Sequence, residues 1–164
     1  MFTAETLRLA QSVVDLCRSR GWHVATAESC TGGLVAAALT AVAGSSDVVE
    51  RGFVLYSNLA KTELAGVPAE TIAAYGAVSV ETAAAMAEGA LARAPIDLAV
   101  SVTGVAGPGG GSADKPVGLV VIGVARRGGG CRTERHIFPG DRAAVRAAAL
   151  DTALGLLADA AKSG

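Results

Sequence analysis

Three stretches of the 164-residue chain hold side chains able to do chemistry. The first is TAESCTGG, Thr26 to Gly33, where hydroxyl, carboxylate and thiol groups precede two adjacent glycines. A polar turn that opens a helix presents unpaired backbone N–H groups, and glycines let a ligand come close to the chain. Ser29, Cys30, Thr31, Gly32 and Gly33 therefore surround a spot suited to a bound anion or a developing oxyanion. The plain alternative is that Ser29 and Thr31 only cap the helix.

The second stretch is YSNLAK, Tyr56 to Lys61, with an aromatic hydroxyl at a strand end, Asn58 as the expected N-cap and a lysine in the first helical turn. A cation there opposes the helix dipole. Burial and the positive helix end would lower its pKa from the reference of about 10.4 and make the neutral amine accessible as a base. A solvated surface lysine and a tyrosine at the rim of a sheet are the ordinary alternatives. The third stretch is Thr103 followed by GVAGPGGG, in which five of the eight residues from Gly104 to Gly111 are glycine. Ligands of α/β proteins sit at the carboxyl ends of strands, and bare amides make a nest for phosphate. Gly104, Gly109 and Gly110 are the candidate contacts, with Thr103 at the strand end. No GK[ST] ends the run and no GxGxxG opens a helix, so it is neither a P-loop nor a dinucleotide fingerprint. A flexible surface loop is the alternative, which Pro108 and the KPVG exit (Lys115 to Gly118) make less attractive.

The elements that must position these groups follow an α/β rhythm. Apolar spacing at Leu7, Ala10, Val14 and Cys17 predicts a helix over 3–20, with Thr3 as N-cap and Gly21 as stop. A strand over 23–27, a helix over 32–42 and a strand over 52–57 come next. Helices are expected at 58–65, 68–75 and 80–93, the last capped by Ser79, then a buried strand over 96–102. Two strands joined across RRGGG read as a hairpin, and a final helix over 141–162 carries Val145, Ala149, Ala153, Leu156 and Leu157 inward. The expected fold is α/β: a three-layer α/β/α sandwich with a mixed, mostly parallel sheet of about five strands. Residues 1–164 are read as a single domain.

Bulk properties exclude several function classes. Fourteen basic against fifteen acidic side chains, in no like-charged block, offer nothing to nucleic acid or to a membrane surface. Apolar runs are broken well before the roughly 18 residues a span needs, and the N-terminus lacks a signal-peptide pattern. A cytoplasmic location is expected. Cys17, Cys30 and Cys131 are odd in number and form no CxxC pair, and only His23 and His136 accompany them, so neither a disulfide framework nor a metal site is expected.

Taken together, AESCTGG, YSNxxK, GAVSxET (Gly76 to Thr82), TGVAGPGGG with KPVG, and F-x-G-D-R-x-x-V-R (Phe138 to Arg146) resemble the CinA C-terminal family over about residues 5 to 160. The resemblance implies deamidation of nicotinamide mononucleotide to nicotinate mononucleotide and ammonia, without metal or cofactor, usually by a homodimer. It makes Ser29 the nucleophile and Lys61 its base, with Tyr56 bridging to the lysine or tuning it, Asn58, Thr103 and Arg142 among the substrate contacts and Arg142 answering the phosphate charge. Larger family members carry an additional N-terminal domain that this chain is expected to lack. Two rivals stand beside this reading: an amidase in which Cys30 attacks with Glu28 and Lys61 assisting, and a regulatory module that binds a nucleotide without turnover.

Overall fold

The computed structural model describes all 164 residues. In chain order the elements are α1 (Ala4–Arg20), β1 (Val24–Glu28), α2 (Leu34–Thr40), a 3-10 turn (Ser45–Asp47), β2 (Val49–Val54), α3 (Asn58–Ala65), α4 (Ala69–Tyr75), α5 (Val80–Arg93), β3 (Leu98–Gly104), β4 (Leu119–Arg126), β5 (Gly130–Ile137) and α6 (Arg142–Ser163). Side-chain caps start four of the helices: Thr3, Ser57, Ser79 and Asp141 each accept a backbone N–H from the first turn.

The sheet order is β2-β1-β3-β4-β5. Strands β2, β1 and β3 are parallel, and β4 is antiparallel to both β3 and β5. Strand β4 alone thus runs against the other four, which is the expected mixed, mostly parallel sheet. Helices α1, α2 and α6 cover one face over a core that includes Val24, Val100, Val102, Leu154 and Leu157. The other face is covered by α3, α4 and α5 around Ala25, Ala27, Leu55, Met86 and Ile96. With both faces covered, β1 and β3 are buried along nearly their whole length and their inward positions are mostly apolar.

Strand alternation decides where the chemistry goes. Along β1, Val24 joins the α1/α6 core while Ala25 and Ala27 join the α5 core, so Glu28 falls under α2 and Ser29 on the α3 side. On β3 the same alternation sends Ser101 and Thr103 toward α5 and the loop before it, where they donate to the Ala83 and Ala77 carbonyls. The pairing of Glu28 with Val102 sets Ser29 beside Thr103, at the carboxyl ends of the parallel strands.

Several sequence expectations shift. Strand β2 begins at Val49 and ends at Val54, because it is an exposed edge whose Glu50 and Arg51 obscure its pattern. Leu55 and Tyr56 lie beyond it. Asn58 is not the cap of α3; Ser57 is, its hydroxyl accepting the Ala60 N–H at 3.0 Å. Strand β3 starts and ends two residues late, and Leu156 is only half-buried, the inner stripe of α6 passing instead through Leu150 and Leu154.

Candidate active site

Ser29 directly follows β1, its N–H donating to the Val102 carbonyl at 2.8 Å and its carbonyl accepting the Gly32 N–H at 3.0 Å. The turn that follows needs its glycines: Gly32 has φ 59° and Gly33 has φ 102°, where an L side chain is strained. Neither Ser29 nor Thr31 caps α2. That task falls to Glu28, fully buried, whose carboxylate accepts N–H bonds from Gly33 (3.1 Å), Val35 (3.0 Å) and Ala36 (2.9 Å). An anion at a helix N-terminus answers both the orphan donors and the dipole, which is how a lone buried carboxylate is tolerated here. Two N–H groups of the turn, those of Cys30 and Thr31, donate to no other group of the chain.

Lys61 reaches the same point from the first turn of α3. Its side chain is 1% exposed, and Nζ lies 3.1 Å from Ser29 Oγ, 2.9 Å from the Leu55 carbonyl and 3.4 Å from the Tyr56 carbonyl. Leu55, buried and tied by its N–H to the Glu28 carbonyl at 2.7 Å, fixes those two acceptors. No carboxylate compensates the charge, and burial holds the Lys61 pKa below the ordinary lysine value. When the amine is neutral, its two protons satisfy the two carbonyls, which only accept, and its lone pair is left for the Ser29 hydroxyl.

A cavity of about 220 Å³ opens onto this pair, lined also by Cys30, Tyr56, Asn58, Ala77, Thr103, Gly104 and Arg142. Thr103 spends its hydroxyl proton on the Ala77 carbonyl at 2.7 Å, anchoring the loop that forms one wall. At Gly104 a Cβ would meet the Leu119 carbonyl at 2.8 Å and Cys30 Sγ at 3.1 Å, so this glycine serves close packing. Tyr56, 62% exposed, does not bridge to the lysine through its hydroxyl; Arg142 Nη2 holds that oxygen at 3.1 Å, and only the Tyr56 backbone faces Nζ. Arg142 Nη1 donates to the Gly107 carbonyl at 2.9 Å, so the guanidinium stands between the cavity and an adjoining groove of about 640 Å³ lined by Ala106, Pro108, Val117 and Arg146. Gly109 and Gly110 are exposed and line neither space.

The Cys30 thiol belongs to the α1/α6 core, and burial pushes its pKa up to about 11. It is a packed thiol at neutral pH, and it is the neighbouring Ser29 hydroxyl, not this thiol, that the Lys61 amine meets. A separate hollow of about 310 Å³ between the β4–β5 hairpin and the end of α6 is lined by Arg126, Arg132, Glu134 and Asp159. Cys131, at its rim, also has its pKa raised to about 11, by burial and by the nearby Glu88 carboxylate, so it too is a protonated thiol at neutral pH. No three His, Cys, Asp or Glu side chains converge anywhere as metal ligands would.

Residues 6–161 match the model of the CinA C-terminal domain. The chain belongs to the CinA C-terminal domain family. The nicotinamide-nucleotide amidohydrolase PncC of Escherichia coli strain K12 is 50% identical over 157 residues, covering 96% of this chain and 95% of that protein. A protein of the same name from Enterobacter agglomerans is 55% identical over 129 residues, 79% of each chain. A CinA-like protein of Akkermansia muciniphila is 49% identical over 152 residues, of which this chain spans only 37% of the length. Among solved structures, the competence/damage inducible protein CihA from Agrobacterium tumefaciens superposes with a TM-score of 0.95 at 47% identity, covering 99% of this chain and 98% of that one.

Within this CinA domain, two charged residues have places that the sequence did not assign them: Glu28, expected only as a helper to a Cys30 nucleophile, lies under α2, and Arg146 donates through Nε and Nη2 to the carbonyls of Cys30 (3.1 Å) and Thr31 (3.3 Å). Both had a signal. Glu28 is a carboxylate placed to meet a helix start, and Arg146 lies four residues after Arg142, on the same helix face.

Proposed function

We propose that this domain hydrolyses the carboxamide of nicotinamide mononucleotide to nicotinate mononucleotide and ammonia, with Ser29 as nucleophile and Lys61 as base. The observation that carries the chemistry is the buried Lys61 amine 3.1 Å from Ser29 Oγ, with the Leu55 and Tyr56 carbonyls as its other neighbours at 2.9 Å and 3.4 Å. The choice of substrate is supported by the PncC relatives, one of which matches across nearly its whole length. Lys61 takes the hydroxyl proton as Oγ bonds to the carboxamide carbon, and returns it to the departing nitrogen, so that ammonia leaves and an acyl-enzyme remains. Water then attacks the ester with the same amine as base. The Cys30 N–H, next to the nucleophile and lining the cavity without an acceptor, is the first donor to the oxyanion. Arg142, facing the larger groove, is suited to the phosphate, and Asn58 and Thr103 border the ring and carboxamide.

The domain is further taken to work in the cytoplasm as a homodimer. Exposed Val54, Leu59 and Leu64 on β2 and α3 supply apolar surface for a second copy. No helix is long and apolar enough to cross a membrane.

The experiment is ammonia release from nicotinamide mononucleotide. Ser29→Ala is expected to abolish it, whereas Cys30→Ala, which keeps the backbone N–H, is expected to retain most of it. A reversed result moves the nucleophile to the thiol; no release by the parent refutes the substrate.

A further inference from the structure

The turn after Ser29 carries the donor that an oxyanion would need, and its shape depends on side chains from distant elements. Ser29 to Gly32 close a β-turn through the Gly32 N–H and the Ser29 carbonyl, 3.0 Å apart. In a trans peptide the N–H opposes the C=O, so holding the Ser29 carbonyl on that side turns the Cys30 N–H the other way. The central peptide, between Cys30 and Thr31, is the part of a β-turn that the closing bond restrains least. Rotation there changes ψ of Cys30 and φ of Thr31 and loosens the closing bond.

Both carbonyls of the two central residues are held by one side chain, 115 and 116 positions away. Arg146 Nε donates to the Cys30 carbonyl at 3.1 Å and Nη2 to the Thr31 carbonyl at 3.3 Å. Its guanidinium is half-buried and has no carboxylate partner. On the following segment Glu28 grips the opposite kind of group, the N–H groups of Gly33, Val35 and Ala36. A cation on the acceptors and an anion on the donors thus fix both halves of one short stretch. A charge-assisted bond also polarises the peptide it holds, which strengthens the donors bonded in series with it.

We propose that Arg146 is a positioning residue for the oxyanion donor: by pinning the Cys30 and Thr31 carbonyls it keeps the turn in the one shape that aims the Cys30 N–H at the acyl centre. The inference rests on the reading of Ser29 as nucleophile. It differs from a role in binding substrate, which the position of Arg146 on the wall of the larger groove would otherwise suggest.

The test compares Arg146→Met and Arg146→Lys with the parent. Two readouts are taken: steady-state ammonia release, and the labelling rate of Ser29 by a fluorophosphonate, which requires no pyridine nucleotide. In labelling, Oγ bonds to phosphorus, fluoride leaves and the hydroxyl proton passes to Lys61, with the phosphoryl oxygen in the oxyanion position. Arg146→Met is expected to lower kcat and the labelling rate together by about ten- to a hundredfold, at or below the loss of a whole oxyanion donor, with KM changed less than about threefold. Arg146→Lys recovers part of both, since a lysine can hold one carbonyl but not two. Rates are referred to folded protein by thermal unfolding; should the Met variant not fold, the Lys variant decides alone, by a kcat and labelling loss at unchanged KM. A loss confined to KM, with labelling at the parent rate, overturns the proposal and makes Arg146 a substrate ligand. Parent that labels at Ser29 but releases no ammonia from the mononucleotide refutes the substrate and leaves the labelling comparison standing. Parent that releases ammonia without labelling at Ser29 overturns the proposal with its nucleophile.

Discussion

The turn from Ser29 to Gly33 and the loop from Gly104 to Gly111 are the two glycine-rich segments at the carboxyl edge of the sheet, and the fold treats them differently. The first is gripped from both sides: Glu28 holds the Gly33 N–H, Arg146 holds the Cys30 and Thr31 carbonyls, and Lys61 faces the serine. The second is held near its ends, by Val105 to Leu119, Gly118 to Val105 and Ser112 to Lys115 backbone bonds and by Arg142 on the Gly107 carbonyl. Its central Gly109 has open space where a Cβ would be. Glycine content alone does not make a ligand nest. Fixed charges that orient the backbone do, and only the shorter segment has them on both sides.

The sharpest break in that comparison is at the lysine. Lys61→Met keeps the aliphatic stem and removes the amine, and activity is expected to fall by about 10³-fold or more, as when one member of a serine nucleophile pair is lost. The pH profile carries the same point. Burial favours the neutral amine, and the proposed mechanism uses the neutral amine, so kcat/KM of the parent should rise with pH through a value below that of a free lysine. A flat profile from neutral to alkaline pH, or a Met variant with substantial activity, removes Lys61 from the mechanism.

A smaller effect is expected at Arg142, which ties the longer loop to the cavity wall by touching Gly107 and the Tyr56 hydroxyl. Arg142→Ala should cost the mononucleotide roughly 1.5–3 kcal/mol, about ten- to a hundredfold in kcat/KM, and cost nicotinamide riboside far less, if the guanidinium meets the phosphate. Equal losses on the two substrates would return Arg142 to the role of latch between Tyr56 and the loop.

The smallest effects distinguish the glycines themselves. Gly33→Ala forces a side chain into φ 102° at the N-cap of α2 and should destabilise by about 1–2 kcal/mol, a Tm drop of roughly 2–8 °C in a chain of this size. Gly109→Ala has neither positive φ nor a neighbour within 4 Å and should stay within about 0.5 kcal/mol of the parent, with unchanged turnover. Thermal unfolding and ammonia release on the two variants check both statements. A large loss at Gly109 would restore the long loop to the site.

What the sequence by itself determined is what a few neighbouring residues can decide. The caps at Thr3 and Ser79, the stop at Gly21, the RRGGG hairpin and the order of strands and helices all follow from local backbone chemistry, and the motif set pointed to the family and to Ser29 and Lys61 together. Where local chemistry offered two near-equal choices it misled, as at Ser57 and Asn58, adjacent residues that both cap well. Tertiary structure decided the rest. The burial of Lys61 against a serine 32 positions away, the capture of the Tyr56 hydroxyl by Arg142 rather than by the lysine, and the grip of Arg146 on the turn after Ser29 depend on β1 lying between β2 and β3, with α6 packed across α2. The side-chain types were legible beforehand, but their partners were not. Strand order brings together groups that no local window contains, and alternation along β1 then sends Glu28 to one face and Ser29 to the other.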